Sequence, residues 1–161
     1  MNLYREFYRE HKHKLFNYLM RMTGDCDLAT ELMQESFTRY LEHYKESPYR
    51  VSLLYAIARN ALFDVLRRRD RTTPLNDEEE SLTDDDQEQT LLVRDEYRRV
   101  LSAMSQLEQT ERDILALIVS TGLSYKEVAA IAGISEANVK VKVHRARLTL
   151  RQILSEGGNY E

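Results

Sequence analysis

The sequence predicts an all-α protein: a three-helix N-terminal domain and a small C-terminal domain with a helix-turn-helix, joined by a flexible acidic linker. Three observations carry this expectation. Five Gly and two Pro in 161 residues leave few places to turn, which disfavours folds built on many tight turns and favours helices. Apolar residues recur at helical spacing, with no alternating strand pattern. Residues 72–90 hold eight acids, no base and only two large apolar side chains, Leu75 and Leu82. Such a block cannot bury enough surface to offset its ordering entropy. It divides the chain into domains at residues 1–71 and 91–161, with residues 72–90 as the linker.

A first helix is expected over residues 2–22, with Asn2 as N-cap and Gly24 as the stop. A second starts after Asp25 or Asp27 and runs to about Glu46, where Ser47 and Pro48 break it. The third covers residues 51–69. Its apolar residues Leu54, Ile57, Ala58, Ala61, Leu62 and Val65 fall on one face, the buried side. Arg59, Asn60, Phe63 and Arg67 lie opposite. In the C-terminal domain a helix over residues 87–105 precedes one over 109–121, and Gly122 can supply the left-handed residue that ends it. Ser124-Tyr-Lys-Glu127 matches a capping box for a short helix ending at Ala132. Gly133, Ile134 and Ser135 make a tight turn, and Ser135 caps a last helix that reaches about Leu154. Residues 157–161 should fray.

The net charge of −4, from 23 Lys plus Arg against 27 Asp plus Glu, argues against a nucleic-acid partner until its distribution is considered. Residues 1–71 hold 13 basic and 10 acidic side chains, and residues 91–161 hold 10 basic and nine acidic. Both domains are mildly basic, and the net acidity belongs to the linker. The linker reads either as a solvated, self-repelling loop or as an acidic strand that mimics nucleic acid.

Several function classes drop out. One cysteine, Cys26, excludes an internal disulfide and every multi-cysteine metal site; it reads as a structural thiol or a redox sensor. His11 and His13 lie two apart on different helix faces, a poor metal pair. The sequence has no Gly-rich phosphate loop, nucleophile elbow or paired-carboxylate setting. No enzyme activity, metal, cofactor or small-molecule ligand is therefore expected. No apolar run approaches the roughly 18 residues that span a bilayer. Arg5, Glu6, Arg9, Glu10, Lys12 and Lys14 are incompatible with a secretory signal, so a soluble, reducing, cytoplasmic setting is expected.

The strongest constellation is the short helix, glycine turn and longer basic helix of the helix-turn-helix. On the last helix Val139, Val143, Ala146 and Leu150 stack on one side. Val141, His144, Arg145 and Leu148 lie opposite, flanked by Lys140, Lys142 and Arg147. Residues 137–155 carry five Lys and Arg and no acid. In a major groove Arg and Lys can pair with guanine, and Val141 can touch a thymine methyl. A solvated amphipathic helix would explain the basic face alone, but the whole constellation favours duplex DNA.

Two other faces stand out. Arg59, Asn60, Phe63 and Arg67, followed by Arg68, Arg69 and Arg71, combine amide, aromatic and cation. The preceding loop adds Tyr44, Lys45, Tyr49 and Arg50. Stacking surfaces beside cations suit unpaired bases, although cations also favour a helix C-terminus without any ligand. On the second helix Glu31, Gln34, Glu35 and Thr38 form a polar stripe that faces either water or a partner.

In order and wording these pieces resemble a bacterial extracytoplasmic-function (ECF) sigma factor of the sigma-70 family. Residues 27–40 (DLATELMQESFTRY) resemble its core-polymerase-binding motif, residues 53–69 (LLYAIARNALFDVLRRR) its promoter-melting helix, and residues 122–150 (GLSYKEVAAIAGISEANVKVKVHRARLTL) its minus-35-reading module. The resemblance implies that Glu31, Gln34 and Glu35 dock on the β′ clamp helices of core RNA polymerase, with the β flap as a further contact. It implies that Asn60 and the loop of residues 45–52, with Lys45, Tyr49 and Arg50, hold a flipped base of the minus-10 element beside Arg59, Phe63 and Arg67. Lys140, Val141, His144 and Arg145 would read minus-35 promoter DNA, while Ser135, Lys142 and Arg147 position its phosphates. The linker would thread toward the RNA exit path, and an anti-sigma factor would be a further partner.

The sequence also departs from the family pattern. Leu53 stands where Trp is usual, Glu108 where Pro is common, Ala137-Asn138 where Gly-Thr begins the reading helix, and Val141 where Ser is frequent. The rival reading is a homodimeric helix-turn-helix repressor or activator, which would bind palindromic duplex unaided. A sigma factor instead gains from simultaneous docking of its tethered domains on polymerase.

Overall fold

The computed structural model describes residues 3–44, 48–71 and 88–157. Asn2, Lys45, most of the expected linker and residues 158–161 of the end expected to fray lie outside the described residues, while Gly157 is the last residue of the final helix. The described chain forms seven α-helices: α1 (Leu3–Thr23), α2 (Cys26–His43), α3 (Val51–Arg71), α4 (Glu88–Ser105), α5 (Gln109–Thr121), α6 (Tyr125–Ala132) and α7 (Glu136–Gly157). The protein is all-α, with two helical domains, α1–α3 and α4–α7.

The helix ends follow from local chemistry. Gly24 takes φ 65° and donates its N–H to the Met20 carbonyl at 2.8 Å. Asp25 then caps α2, its carboxylate accepting from the Leu28 N–H at 3.0 Å. α2 stops at His43 rather than near Glu46. Tyr44 leaves helical geometry at φ −132°, ψ 63°, and its ring packs 5.3 Å from that of Tyr40. The Tyr40 hydroxyl in turn accepts the Arg50 N–H at 2.7 Å, fixing the chain where it enters α3. Ser124 caps α6 by accepting from the Glu127 N–H at 3.1 Å, and Ser135 caps α7 by accepting from Asn138 at 3.0 Å. Between them Gly133, at φ 71°, makes the sharp turn.

A different residue caps α5. The Glu108 carboxylate accepts the Thr110 and Glu111 N–H groups at 3.0 and 3.2 Å and also bonds the Thr110 hydroxyl. Those bonds, the Thr110 hydroxyl first, hold its pKa below the ordinary glutamate value. A carboxylate here also complements the positive end of the helix.

The two helical domains pack against each other. One cluster of buried side chains runs from Leu15, Leu19, Leu54 and Leu62 through to Ile114, Leu117, Val128 and Val139. α1 packs on α2 and also on α4 and α5, while α3 meets α6. The physical reason is size: small helical units bury too little surface alone to be comfortably stable, and α1 carries apolar residues on two sides. Among the described residues no helix is long and apolar enough to cross a membrane.

Candidate nucleic-acid interfaces

α7 is positioned by its apolar side. Val139, Val143 and Ala146 are buried against the rest of the C-terminal domain, which turns the other side outward. Lys140, Val141, His144, Arg145 and Arg147 are all exposed. Val141 keeps 44% of its surface accessible, a methyl-bearing side chain set among cations. Lys142 is half-buried and donates from Nζ to the Thr110 Oγ1 at 2.9 Å. Ser135 uses its hydroxyl as the α7 cap. The predicted reading face is thus one contiguous basic surface, and Ser135 and Lys142 also have structural partners at its edge.

The α2 stripe is also at the surface. Glu31 and Gln34 are exposed, and Glu35 is half-buried, paired with Arg39 one turn later.

The third predicted surface is split. Asn60, Arg50 and Arg67 are exposed, with Arg67 paired to Asp64. Tyr49 instead belongs to an aromatic cluster, its ring stacked 5.3 Å from Phe7 and set edge-on 5.9 Å from Tyr4. Phe63 is half-buried beneath the Arg59 guanidinium, 5.0 Å from its centre.

Arg59 departs furthest from the outward face that helical periodicity assigns it. Its Nε and Nη2 donate to the Asp113 Oδ2 at 3.0 and 2.7 Å, and Nε also reaches Oδ1 at 3.3 Å. Nη1 donates to the Ile131 carbonyl at 3.1 Å. The two side chains are only 17% and 3% exposed. Asp113 also accepts from the hydroxyl of Tyr18, which is fully buried, at 2.6 Å. Burial opposes charge on Arg59, but the hydrogen bonds and charge of Asp113 outweigh it and raise the guanidinium pKa. Burial, then the Asp113 charge, pushes the Tyr18 hydroxyl well above its usual range, so it remains a donor. This cluster was missed from sequence. Asp113 does leave a signal: it is the acid that opens the apolar run Ile114-Leu-Ala-Leu-Ile-Val119 on α5.

Among the described residues no group of three or more His, Cys, Asp or Glu is placed to hold a metal ion. Cys26 opens α2 and is half-buried.

These features define a two-domain helical protein with a basic-faced helix-turn-helix at its C-terminal end. Comparison with known proteins narrows the class. The Sigma-70 region 2 family matches residues 7–72, and the Sigma-70, region 4 family matches residues 97–150. The chain is 32% identical to the ECF RNA polymerase sigma factor SigM of Bacillus subtilis, over 97% of this chain and 98% of that protein. It is 28% identical to the RNA polymerase sigma factor CarQ of Myxococcus xanthus, over 95% and 90%. Two solved structures share the fold at 20% identity. They are the sigma factor RpoE in complex with the anti-sigma factor NepR from Bartonella quintana, with TM-score 0.73 over 96% of this chain and 98% of that one, and CnrH in complex with the cytosolic domain of CnrY, with TM-score 0.71 over 95% and 88%. The chain belongs to the ECF RNA polymerase sigma factors. Its function is transcription initiation, and the free-standing repressor reading gives way because the region 2 match runs through nearly all of the N-terminal domain.

Proposed function

We propose that this sigma factor divides promoter recognition between two faces. The observation that carries the reading is the α7 surface, where Lys140, Val141, His144, Arg145 and Arg147 stand together in solvent opposite the buried Val139, Val143 and Ala146. Duplex DNA of the minus-35 element lies against that face. Arg145 and Lys140 read guanine edges, Val141 contacts a thymine methyl, and Ser135, Lys142 and Arg147 line up phosphates. Ser135 and Lys142 would give up or share their internal partners to do so.

Unpaired minus-10 bases lie against Asn60 and Arg67, with Lys45 and Arg50 flanking. Tyr49 acts from within the aromatic cluster by shaping the loop, and Phe63 and Arg59 join only when Arg59 is released from Asp113. Glu31, Gln34 and Glu35 dock on the β′ clamp helices of core polymerase, with the β flap engaged by the C-terminal domain. The linker acids act as an RNA-like strand in the exit path. The protein is non-enzymatic, works in the cytoplasm and takes an anti-sigma factor as regulator; the RpoE and CnrH structures lend support, since each holds such a factor or a cytosolic partner domain.

In vitro transcription with purified core polymerase on a promoter library tests this. Promoter-specific initiation above core alone is expected. Its absence, or tight binding of palindromic duplex by a dimer of the chain alone, would overturn it.

A further inference from the structure

The cluster of Arg59, Asp113 and Tyr18 joins the two domains through a buried charge pair. Arg59 comes from α3, beside the exposed Asn60. Asp113 comes from the interior of α5, and the carbonyl at Ile131 belongs to α6, the first helix of the helix-turn-helix. One guanidinium therefore ties α3 to two helices of the other domain. Arg21 adds a 2.8 Å bond from α1 to the Ser120 hydroxyl on α5, and Arg112 reaches back to the Met22 carbonyl at 3.4 Å.

Carboxylate and phosphate make equivalent bidentate partners for arginine. Asp113 is thus chemically able to stand in for a nucleic-acid phosphate on Arg59. The closed chain is also too short for its task. The minus-35 and minus-10 elements are, by their names, about 25 base pairs apart, roughly 85 Å of duplex at about 3.4 Å per pair. A folded chain of 161 residues has a radius of gyration of about 15 Å, hence a diameter of about 40 Å. The two domains must separate to engage both elements, and separation breaks the Arg59–Asp113 pair.

We infer that Asp113 is an internal latch: by pairing with Arg59 and Tyr18 it holds the domains closed and withholds Arg59 from single-stranded promoter DNA until the domains are drawn apart on polymerase. This rests on the minus-10 role given above to the Asn60 face. The latch fits its task chemically, because a buried pair that has lost one partner is strongly disfavoured, whereas both groups can be resolvated when the domains part. The closed form is thus favoured without being irreversible.

Two full-length variants test it. Asp113→Asn removes the carboxylate charge at nearly constant volume. Tyr18→Phe removes one hydrogen bond to Asp113 and leaves net charge unchanged. Small-angle scattering of the chain alone reads closure, and fluorescence anisotropy with a single-stranded minus-10 oligonucleotide reads access to Arg59. Asp113→Asn is expected to raise the radius of gyration and to tighten oligonucleotide binding about five- to tenfold, as the competent fraction rises. Tyr18→Phe should change both in the same direction by less. Transcription by the assembled holoenzyme should be unchanged, since polymerase holds the domains apart already.

An unchanged radius and affinity in both variants would overturn the latch. So would tighter binding in Asp113→Asn alone with its radius unchanged, which is the signature of added charge. If Asp113→Asn loses its helical circular dichroism, Tyr18→Phe decides by the same two readouts. Failure of the sigma-factor reading appears separately, as absence of promoter-specific transcription by the wild-type chain with core polymerase.

Discussion

Tyr18 and Asp113 stand 95 residues apart in the chain and 2.6 Å apart between hydroxyl and carboxylate oxygens, in a fully buried contact between α1 and α5. Their hydrogen bond completes the coordination of a carboxylate whose other partner is Arg59. Arg59 supplies the countercharge and Tyr18 a neutral donor, so the Asp113 oxygens meet buried donors from two different helices. Closure of the two domains is an electrostatic arrangement set inside an apolar one.

A double-mutant cycle should register that coupling. Tyr18→Phe should cost about 1.5–3 kcal/mol, the range for a hydrogen bond to a charged group. Asp113→Asn should cost about 3–5 kcal/mol, because it strips the Arg59 guanidinium of its countercharge and with it the closed packing of the domains. Measured by urea unfolding, with a smaller m-value expected for Asp113→Asn because its native state is less compact, the double variant should be less unstable than the sum by about 1 kcal/mol or more. Strict additivity would mean that hydroxyl and carboxylate do not interact.

Much of this architecture was legible in the sequence, because helix ends are decided locally. Gly122, Ser124, Gly133 and Ser135 mark the turns of the helix-turn-helix by conformational freedom and side-chain oxygens, and each works within four residues of itself. The buried face of α3 was legible for the same reason, since Leu54, Ala58, Ala61 and Leu62 repeat with the helix. Periodicity fails where a helix is covered on two sides. It placed Arg59 and Phe63 outward because it had no knowledge of α6, whose contact with α3 depends on the chain returning from far along the sequence. The surroundings of Tyr49 were hidden for a related reason: a tyrosine in a loop beside cations looks like a stacking platform, and the rings of Phe7 and Tyr4 that pack on it come from α1. The outward face of α7 was legible because nothing else in the described chain packs over it.

Tyr55 gives a prediction of opposite sign. Its side chain is fully buried with the ring 5.8 Å from that of Tyr18, yet its hydroxyl has no hydrogen-bond partner among the described residues. Burial alone raises its pKa above the ordinary tyrosine value, so the group is a desolvated, neutral hydroxyl. Removing a buried polar group that makes no bond relieves a desolvation penalty of about 1–3 kcal/mol. Tyr55→Phe should therefore stabilise the protein, by about 1 kcal/mol once slight loosening is allowed for, seen as a higher urea midpoint. A lower midpoint would indicate that the hydroxyl is hydrogen-bonded, for instance to water.

On the DNA face, Arg145→Ala tests base reading. Arg145 is exposed on α7, so truncation should leave the unfolding midpoint nearly unchanged. Loss of a base-reading arginine costs about 1–3 kcal/mol and relaxes preference at one base position. Binding of minus-35 duplexes that vary one position at a time, measured with holoenzyme, reads this directly. Equal weakening for every sequence, with a shallower salt dependence, would make Arg145 a phosphate contact instead.

His11 sets the acid side of the stability profile. Its ring lies 4.8 Å from Phe7 in the first turns of α1. Burial lowers its pKa below the ordinary histidine value; the Glu10 carboxylate, 3.8 Å away, opposes that shift, and Lys14 adds to it. In the unfolded chain histidine titrates near pH 6.5, so between that value and the lower folded one the unfolded state binds the extra proton. Stability is therefore fully present above about pH 6.5, falls as pH drops through the folded pKa, and then levels. The Glu108 cap adds a separate loss at lower pH. Its folded pKa is also depressed, so that contribution is present above the unfolded glutamate value and disappears as pH falls through the folded one. The two windows separate cleanly in urea midpoints taken from about pH 7.5 down to about pH 5, where glutamates remain largely ionised. His11→Phe should flatten the wild-type decline over that range while keeping the contact with Phe7. An unchanged decline in the variant would assign it to another group and leave His11 as a spectator of α1 packing.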